Sequence, residues 1–297
     1  TNILFISTIA LKNTNTFSIP EGIKSYSTDI SGMTNIKKII IPASLTDIDP
    51  NKLPKSIESI EIKNGNKTLL YENGFLYNSS QTLIMCCSKE KDITVPEGIK
   101  TIGALSFKQA TNVENVVFPD SLVSIQDRVF EGASNIKRID IGKNVNNISP
   151  IFKRRNYNGV VNIDKENTNY VIENNILYKL NNGKKERLVA VLTENTNNIE
   201  ISKEVNIIGT NAFFGQKSMT QIIIPKGVTS IEGGAFSECS KLERVEIPNT
   251  VTDIANTAFS AESFNLSEII IHNKENSIAG APWGAAKGMK VVQWVGK

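Results

Sequence analysis

Apolar residues along this chain fall into one frame that returns every 21 to 24 residues. From Leu242 onward they occupy Leu242, Val245, Ile247, Val251, Ile254 and Phe259, and most positions between are polar. The same frame fits Ile136, Ile139, Ile141, Val145 and Ile148, and again Met219, Ile222, Ile224, Val228, Ile231 and Phe236. Alternation at Val245 and Ile247 predicts a short strand with those side chains inward, because successive side chains of a strand point to opposite faces. Two inward residues at a spacing of three follow, then an Ala-Phe pair (Ala212-Phe213, Ala235-Phe236, Ala258-Phe259) that predicts one tight helical turn opposite the strand. Phe107, Phe130, Phe213, Phe236 and Phe259 share one column of this frame and are expected to stack in the core, with Phe152 one residue early and Ile30 standing in near the start. Three residues after Phe236, Cys239 takes the place of Ala110 and Ala133, so a buried small side chain is expected there.

A unit of this size cannot bury its own apolar face and must stack on its neighbours, which makes the architecture a solenoid. Strands of successive units then pair in parallel about 4.8 Å apart. Pro20, Pro42, Pro96, Pro119, Pro225 and Pro248 mark the strand ends, where a residue without an N–H does least harm to the ladder. Two stretches break the beat: residues 68–87 and 169–191 share Glu-Asn-x-x-Leu-Tyr, and each has two apolar runs around a turn of Asn, Ser or Gly, the pattern of a β-hairpin. The expected organisation is one solenoid over 1–297: an N-terminal cap at 1–19, repeats over 20–271 with hairpins near 66–91 and 167–195, and a C-terminal cap at 272–297. The run TNILFISTIAL, with neither an initiator Met nor a basic leader, reads as the mature side of a cleavage or a trimmed start.

The strand register also predicts the outward face. With Val245 and Ile247 inward, Arg244 and Glu246 face out, and equivalent pairs follow in other rungs: Lys38/Ile40, Asn115/Val117, Arg138/Asp140, Val160/Asn162, Asn198/Glu200, Gln221/Ile223 and Glu268/Ile270. Solvent favours polar residues at all of them, yet Ile40, Val117, Val160, Ile223 and Ile270 are β-branched and apolar. Strand propensity alone explains such residues; the alternative is that they anchor an extended partner on a ladder of roughly ten strands, about 45–50 Å long. Arg138, Asp140, Arg244 and Glu246 complete this candidate surface, and Tyr77 and Tyr178 on the hairpins form a second one.

Composition changes little. At 297 residues, 40% hydrophobic and 21% charged, with a net charge of +3, the chain has no strong field that would draw it to nucleic acid or an anionic membrane, and no apolar run of about 20 residues to span a bilayer. Three cysteines, Cys86 and Cys87 adjacent, form neither a disulfide framework nor a zinc site, and His272 is the single histidine, so no metal or other cofactor is expected. The run at 280–288 lacks the Lys-Ser/Thr ending of a phosphate loop; Pro282 and Trp283 are expected instead to close the open end of the stack. Glu246 and Glu268 should project from adjacent strands offset by two residues, roughly 8 Å apart, a spacing that inverting glycosidases use. No pocket is apparent there, so a solvated charged face is the expectation.

The motif Pro-x-x-Val-x-x-Ile-x-x-x-Ala-Phe-x-x-Cys-x-x-Leu, carried without departure from Pro225 to Leu242, resembles the unit of the BspA-like branch of the leucine-rich repeat family. The hairpins around Gly74-Phe75-Leu76-Tyr77 and the closing Ala281-Pro282-Trp283-Gly284-Ala285 resemble it too. Departures are Gln216 in the Cys position, the Pro-poor rung around Val160–Ile163, and one extra residue between Phe259 and Leu266. The resemblance implies an α/β leucine-rich-repeat solenoid: a parallel sheet of short strands, helical turns opposite and two inserted hairpins. It also implies a bacterial or protist protein, secreted or displayed on the cell surface, that adheres to a host or microbial protein or glycan without catalysis. A spacer within a larger surface protein is the alternative, a glycan-acting enzyme a remote one. A monomer is expected, with no nucleic-acid partner and no membrane insertion.

Overall fold

In the computed structural model, which describes residues 14–149, 159–193, 197, 199–260, 265–286 and 288–296, each repeat runs through a strand, a corner, a second strand of two residues and a tight turn. Contacts gather the described residues into two compact units, the first up to Ser149 together with Gly159–Asp164, the second from Lys165 onward. Residues 1–13 of the expected cap and Phe152 lie outside the described residues.

All strands of the outward-facing sheets are parallel, in the register expected from the repeat. In the first unit Thr16–Ser18, Lys38–Ile41 and Ser59–Ile62 form one sheet, and Asp92–Thr94, Asn115–Val117, Arg138–Ile141 and Val160–Ile163 another. In the second unit Gln221–Ile223, Arg244–Ile247, Glu268–Ile271 and Val292–Trp294 follow in order. The expected ladder of ten strands is therefore three separate sheets. The breaks fall where the hairpins enter the chain, after Ile62 and after Ile163. At the second break Glu200 carries no strand, and Asn198 is outside the described residues.

A second ladder arises where only two inward residues at a spacing of three were expected. Thr101–Ile102, Ser124–Ile125 and Asn147–Ile148 pair in parallel in the first unit, and Ile207–Ile208, Ser230–Ile231 and Asp253–Ile254 in the second. Two residues are too few to display a period of two, which is why the pattern did not announce them.

The hairpins extend this second ladder. Leu69–Glu72 pairs antiparallel with Phe75–Asn78 around Asn73-Gly74, and Tyr170–Glu173 with Ile176–Asn181 around Asn174-Asn175. All four turn residues have positive φ, between 49° and 87°, as a two-residue turn that follows the strand twist requires. Each hairpin gains a third antiparallel strand, Thr82–Cys86 or Lys184–Val191, and that strand then pairs in parallel with the next rung of the second ladder. The approach is close. Gly103 and Gly209 stand in that rung where others carry Gln126, Glu232 or Ala255, and each donates its N–H to a hairpin carbonyl, of Leu83 and Leu188, at 2.9 Å. A Cβ on Gly209 would lie 2.7 Å from the Leu188 oxygen. Gly209→Ala is expected to cost about 1–3 kcal/mol in urea denaturation, since backbone must move. Gly32→Ala, with open space around it, should stay within about 0.5 kcal/mol.

Opposite the outward sheets, the expected helical turn does not form. Among the described residues helix is limited to 3₁₀ segments at Pro50–Lys52 and Gly288–Val291. Two residues before Phe107, Phe130, Phe213 and Phe236, the residues Leu105, Arg128, Asn211 and Gly234 adopt φ near +60°, which interrupts any helix. The Phe N–H points along the stack: Phe213 donates to Ala235 O at 2.8 Å, Phe236 to Ala258 O at 2.9 Å and Phe259 to Trp283 O at 3.0 Å. The aromatic column is buried as expected, with Phe107 and Phe130 5.1 Å apart in the first unit. In the second, Phe213, Phe236 and Phe259 stack at 5.1 and 5.0 Å within a core that also holds Cys239 and Trp283.

Candidate functional site

The outward sheets present the residues singled out from sequence, unequally. Val117, Val160 and Ile223 are exposed by 40%, 58% and 66%, more than an apolar side chain gains anything from. Ile40 and Ile270 are only half-buried, each opposite a carboxylate in the neighbouring strand, Glu61 and Glu246. Charged neighbours are mostly used within the sheets. Lys38 pairs with Glu61 at 2.6 Å, and Arg138 with Asp140 at 2.9 Å, whose Oδ1 also accepts from Asn162. Glu114 accepts from Lys137 and Lys91, and those bonds hold its carboxyl below the usual range. Arg244 bonds both Glu246, at 3.5 Å, and Glu268, at 3.1 Å. The guanidinium thus sits between the two carboxylates that the register set side by side.

On the hairpins, Tyr77 is half-buried and Tyr178 is in the core of the second unit, not at the surface where a contact was expected. The third strand and the adjoining rung cover it, its hydroxyl accepts the Ser202 N–H at 3.3 Å, and burial pushes its pKa up.

The second unit also forms a groove of about 420 Å³ at the C-terminal ends of its four outward strands. Ile223, Pro225, Pro248 and Val295, the last 50% exposed, supply its apolar surface. Lys226, Glu246, Asn249 and His272 supply its polar groups, and His272 Nε2 lies 2.9 Å from Glu246 Oε1. Of these residues only Ile223 and Glu246 were singled out from sequence as contacts. The repeat did hold the signal for His272, because it takes the strand-end place of Pro225 and Pro248 and so lies in line with them. Val295 could not be foreseen, since Val292–Trp294 was expected to be cap, not a fourth strand.

Other chemistry is sparse. Among the described residues no group of three or more His, Cys, Asp or Glu side chains could hold a metal ion. All three cysteines are buried and unpaired; burial pushes the Cys86 and Cys239 thiols up to about 12, far from the reactive thiolate. Among the described residues no helix is long and apolar enough to cross a membrane.

No curated protein sequence matches the chain. Among solved structures it is similar to a leucine-rich cell surface protein from Faecalibacterium prausnitzii at 18% identity, covering 93% of this chain and 92% of that one with a TM-score of 0.47. It is also similar to the pneumococcal vaccine antigen PcpA at 18% identity, covering 90% and 80% with a TM-score of 0.55. The second likeness shows the shared fold. The profile of the BspA type leucine rich repeat region matches six copies over residues 5–90, 79–185 and 191–282, and with strands, hairpins and aromatic column laid out on that repeat, the chain belongs to the BspA-type leucine-rich repeat family.

Proposed function

We propose that this chain is a non-enzymatic recognition module, secreted or displayed on the cell surface, that adheres to a host or microbial partner through its outward strands. Membership of the family supports the location and the binding role. The observation that carries the reading is the exposure of Val117, Val160 and Ile223 on sheets whose charged outward residues Lys38, Glu61, Arg138, Asp140, Arg244 and Glu268 are tied into ion pairs. A spacer has no use for exposed aliphatic side chains, which cost solubility, whereas a binding surface buries them in the complex. Within the second unit the groove beside Ile223 favours a protein partner over a glycan: its apolar surface is aliphatic and prolyl, without an aromatic ring on which a sugar could stack.

Screening the intact chain against matrix proteins and glycans, with Val117→Asp and Ile223→Asp alongside, tests the reading. One or both variants should lose partner binding by about tenfold or more while the melting temperature stays within a degree or two, because neither side chain contributes to the core. Unaltered binding by both would remove the outward strands from consideration and move attention to the hairpin surface near Tyr77.

A further inference from the structure

The groove of the second unit is more specific than a generic apolar surface, and its chemistry names a class of ligand. We infer that it takes a short extended peptide segment that sets an aliphatic side chain beside a carboxylate. This inference rests on the recognition role proposed above.

Length comes first. The groove runs across the ends of four parallel strands, from Ile223 to Val295. Three inter-strand steps of about 4.8 Å give about 14 Å, the reach of about four residues of extended chain. The volume of about 420 Å³ falls in the range of sites that enclose a small ligand. Surface chemistry comes second. Ile223, Pro225, Pro248 and Val295 offer branched and ring aliphatic carbon, which suits Leu, Ile or Val on the ligand.

Charge decides the rest. The groove's one carboxylate, Glu246, is already engaged by His272 and by Arg244, so it has little to offer a cationic ligand. Lys226 on the rim is exposed and, among the described residues, has no hydrogen-bond or ion-pair partner. The free charge is therefore an ammonium, and its complement is a carboxylate. An acidic group reaching Lys226 while an aliphatic side chain two positions away covers Ile223 uses both features at once, since alternate side chains of an extended segment share a face and stand about 6.6 Å apart along the chain.

Panning a displayed library of linear heptapeptides against the intact chain tests this directly. Selected sequences should combine Leu, Ile or Val with Asp or Glu within four positions. Their affinity should fall about tenfold or more in Lys226→Glu and in Ile223→Asp, as expected for losing a charge-assisted contact or a buried anchor. It should survive Lys226→Arg and Ile223→Val, and all four variants should melt with the parent because both side chains are exposed. Selected peptides without acidic residues, peptides whose affinity survives both disruptive substitutions, or the absence of any selected peptide would each overturn the inference. A glycan array probed in parallel separates the two levels. Glycan binding lost in Val117→Asp, with no peptide selected, would leave the recognition role standing and remove the peptide groove; failure of both arms, together with no binding to matrix proteins, would remove both.

Discussion

Phe236→Ala is expected to destabilise the second unit by about 3–5 kcal/mol, more than any substitution on the outward strands. The ring is fully buried between Phe213 at 5.1 Å and Phe259 at 5.0 Å, with interplanar angles of 12° and 8°. Truncation therefore removes two stacked contacts as well as the transfer energy of one ring. The cavity cannot close easily. Backbone on both sides is fixed by the bonds from Phe213 N to Ala235 O and from Phe236 N to Ala258 O, and these set the rung spacing whatever side chain is present. Phe236→Leu, which refills most of the space, should cost markedly less, about 1–2 kcal/mol. The thermal midpoint of the unit should fall by on the order of 10 °C for the alanine variant. A loss under about 1 kcal/mol would mean that the column is not the core of the unit.

Much of this was legible from periodicity alone, and what was not has identifiable causes. Inward Val245 and Ile247, the parallel register that sets Arg244 beside Glu268, and the buried Phe column all follow from a frame repeated often enough that chance alternation averages out. The tight turn was misread because Ala-Phe after an apolar pair looks helical, while the left-handed residue two places before Phe107, Phe130, Phe213 and Phe236 is Leu105, Arg128, Asn211 and Gly234 in turn, with no common residue type to betray it. The break of the ladder into three sheets depends on where hairpin strands pair, which is a tertiary choice that no local pattern records. Gly103 and Gly209 now have a reason, the hairpin carbonyl beside each. Buried Gln109 gained one as well: its amide donates to Pro50 O at 2.9 Å, a contact across 59 residues of sequence. The groove combines Ile223, which the frame exposed, with Val295, which lies on a strand the frame did not reach.

Trp283→Ala is the second large effect, and its signature should differ from that of Phe236→Ala. Trp283 is fully buried, its indole N–H donates to Ala279 O at 2.7 Å, and its ring lies 6.2 Å from that of Trp294. Its carbonyl receives the Phe259 N–H, so the series of bonds that runs from Phe213 along the column ends on this residue. It also holds φ at 51°, a conformation costly for a bulky side chain and kept here by the burial of the indole. Alanine should lose about 3–5 kcal/mol of local stability. In a stack where each rung is held chiefly by its neighbours, that loss falls first on the terminal rungs. Hydrogen exchange should show it: amides of Glu268–Ile271 and Val292–Trp294 should exchange faster by roughly two to four orders of magnitude, and those of Ile207–Ile208 should change little. Trp283→Phe, which keeps an aromatic ring but no N–H, should fall between, leaving the Ala279 carbonyl without its donor at a cost of about 1–2 kcal/mol. Uniform acceleration of exchange throughout the unit would instead show that Trp283 supports the whole stack. Val295 and His272 sit on these terminal rungs, so fraying should also weaken any ligand of the groove, through loss of the groove's outer wall.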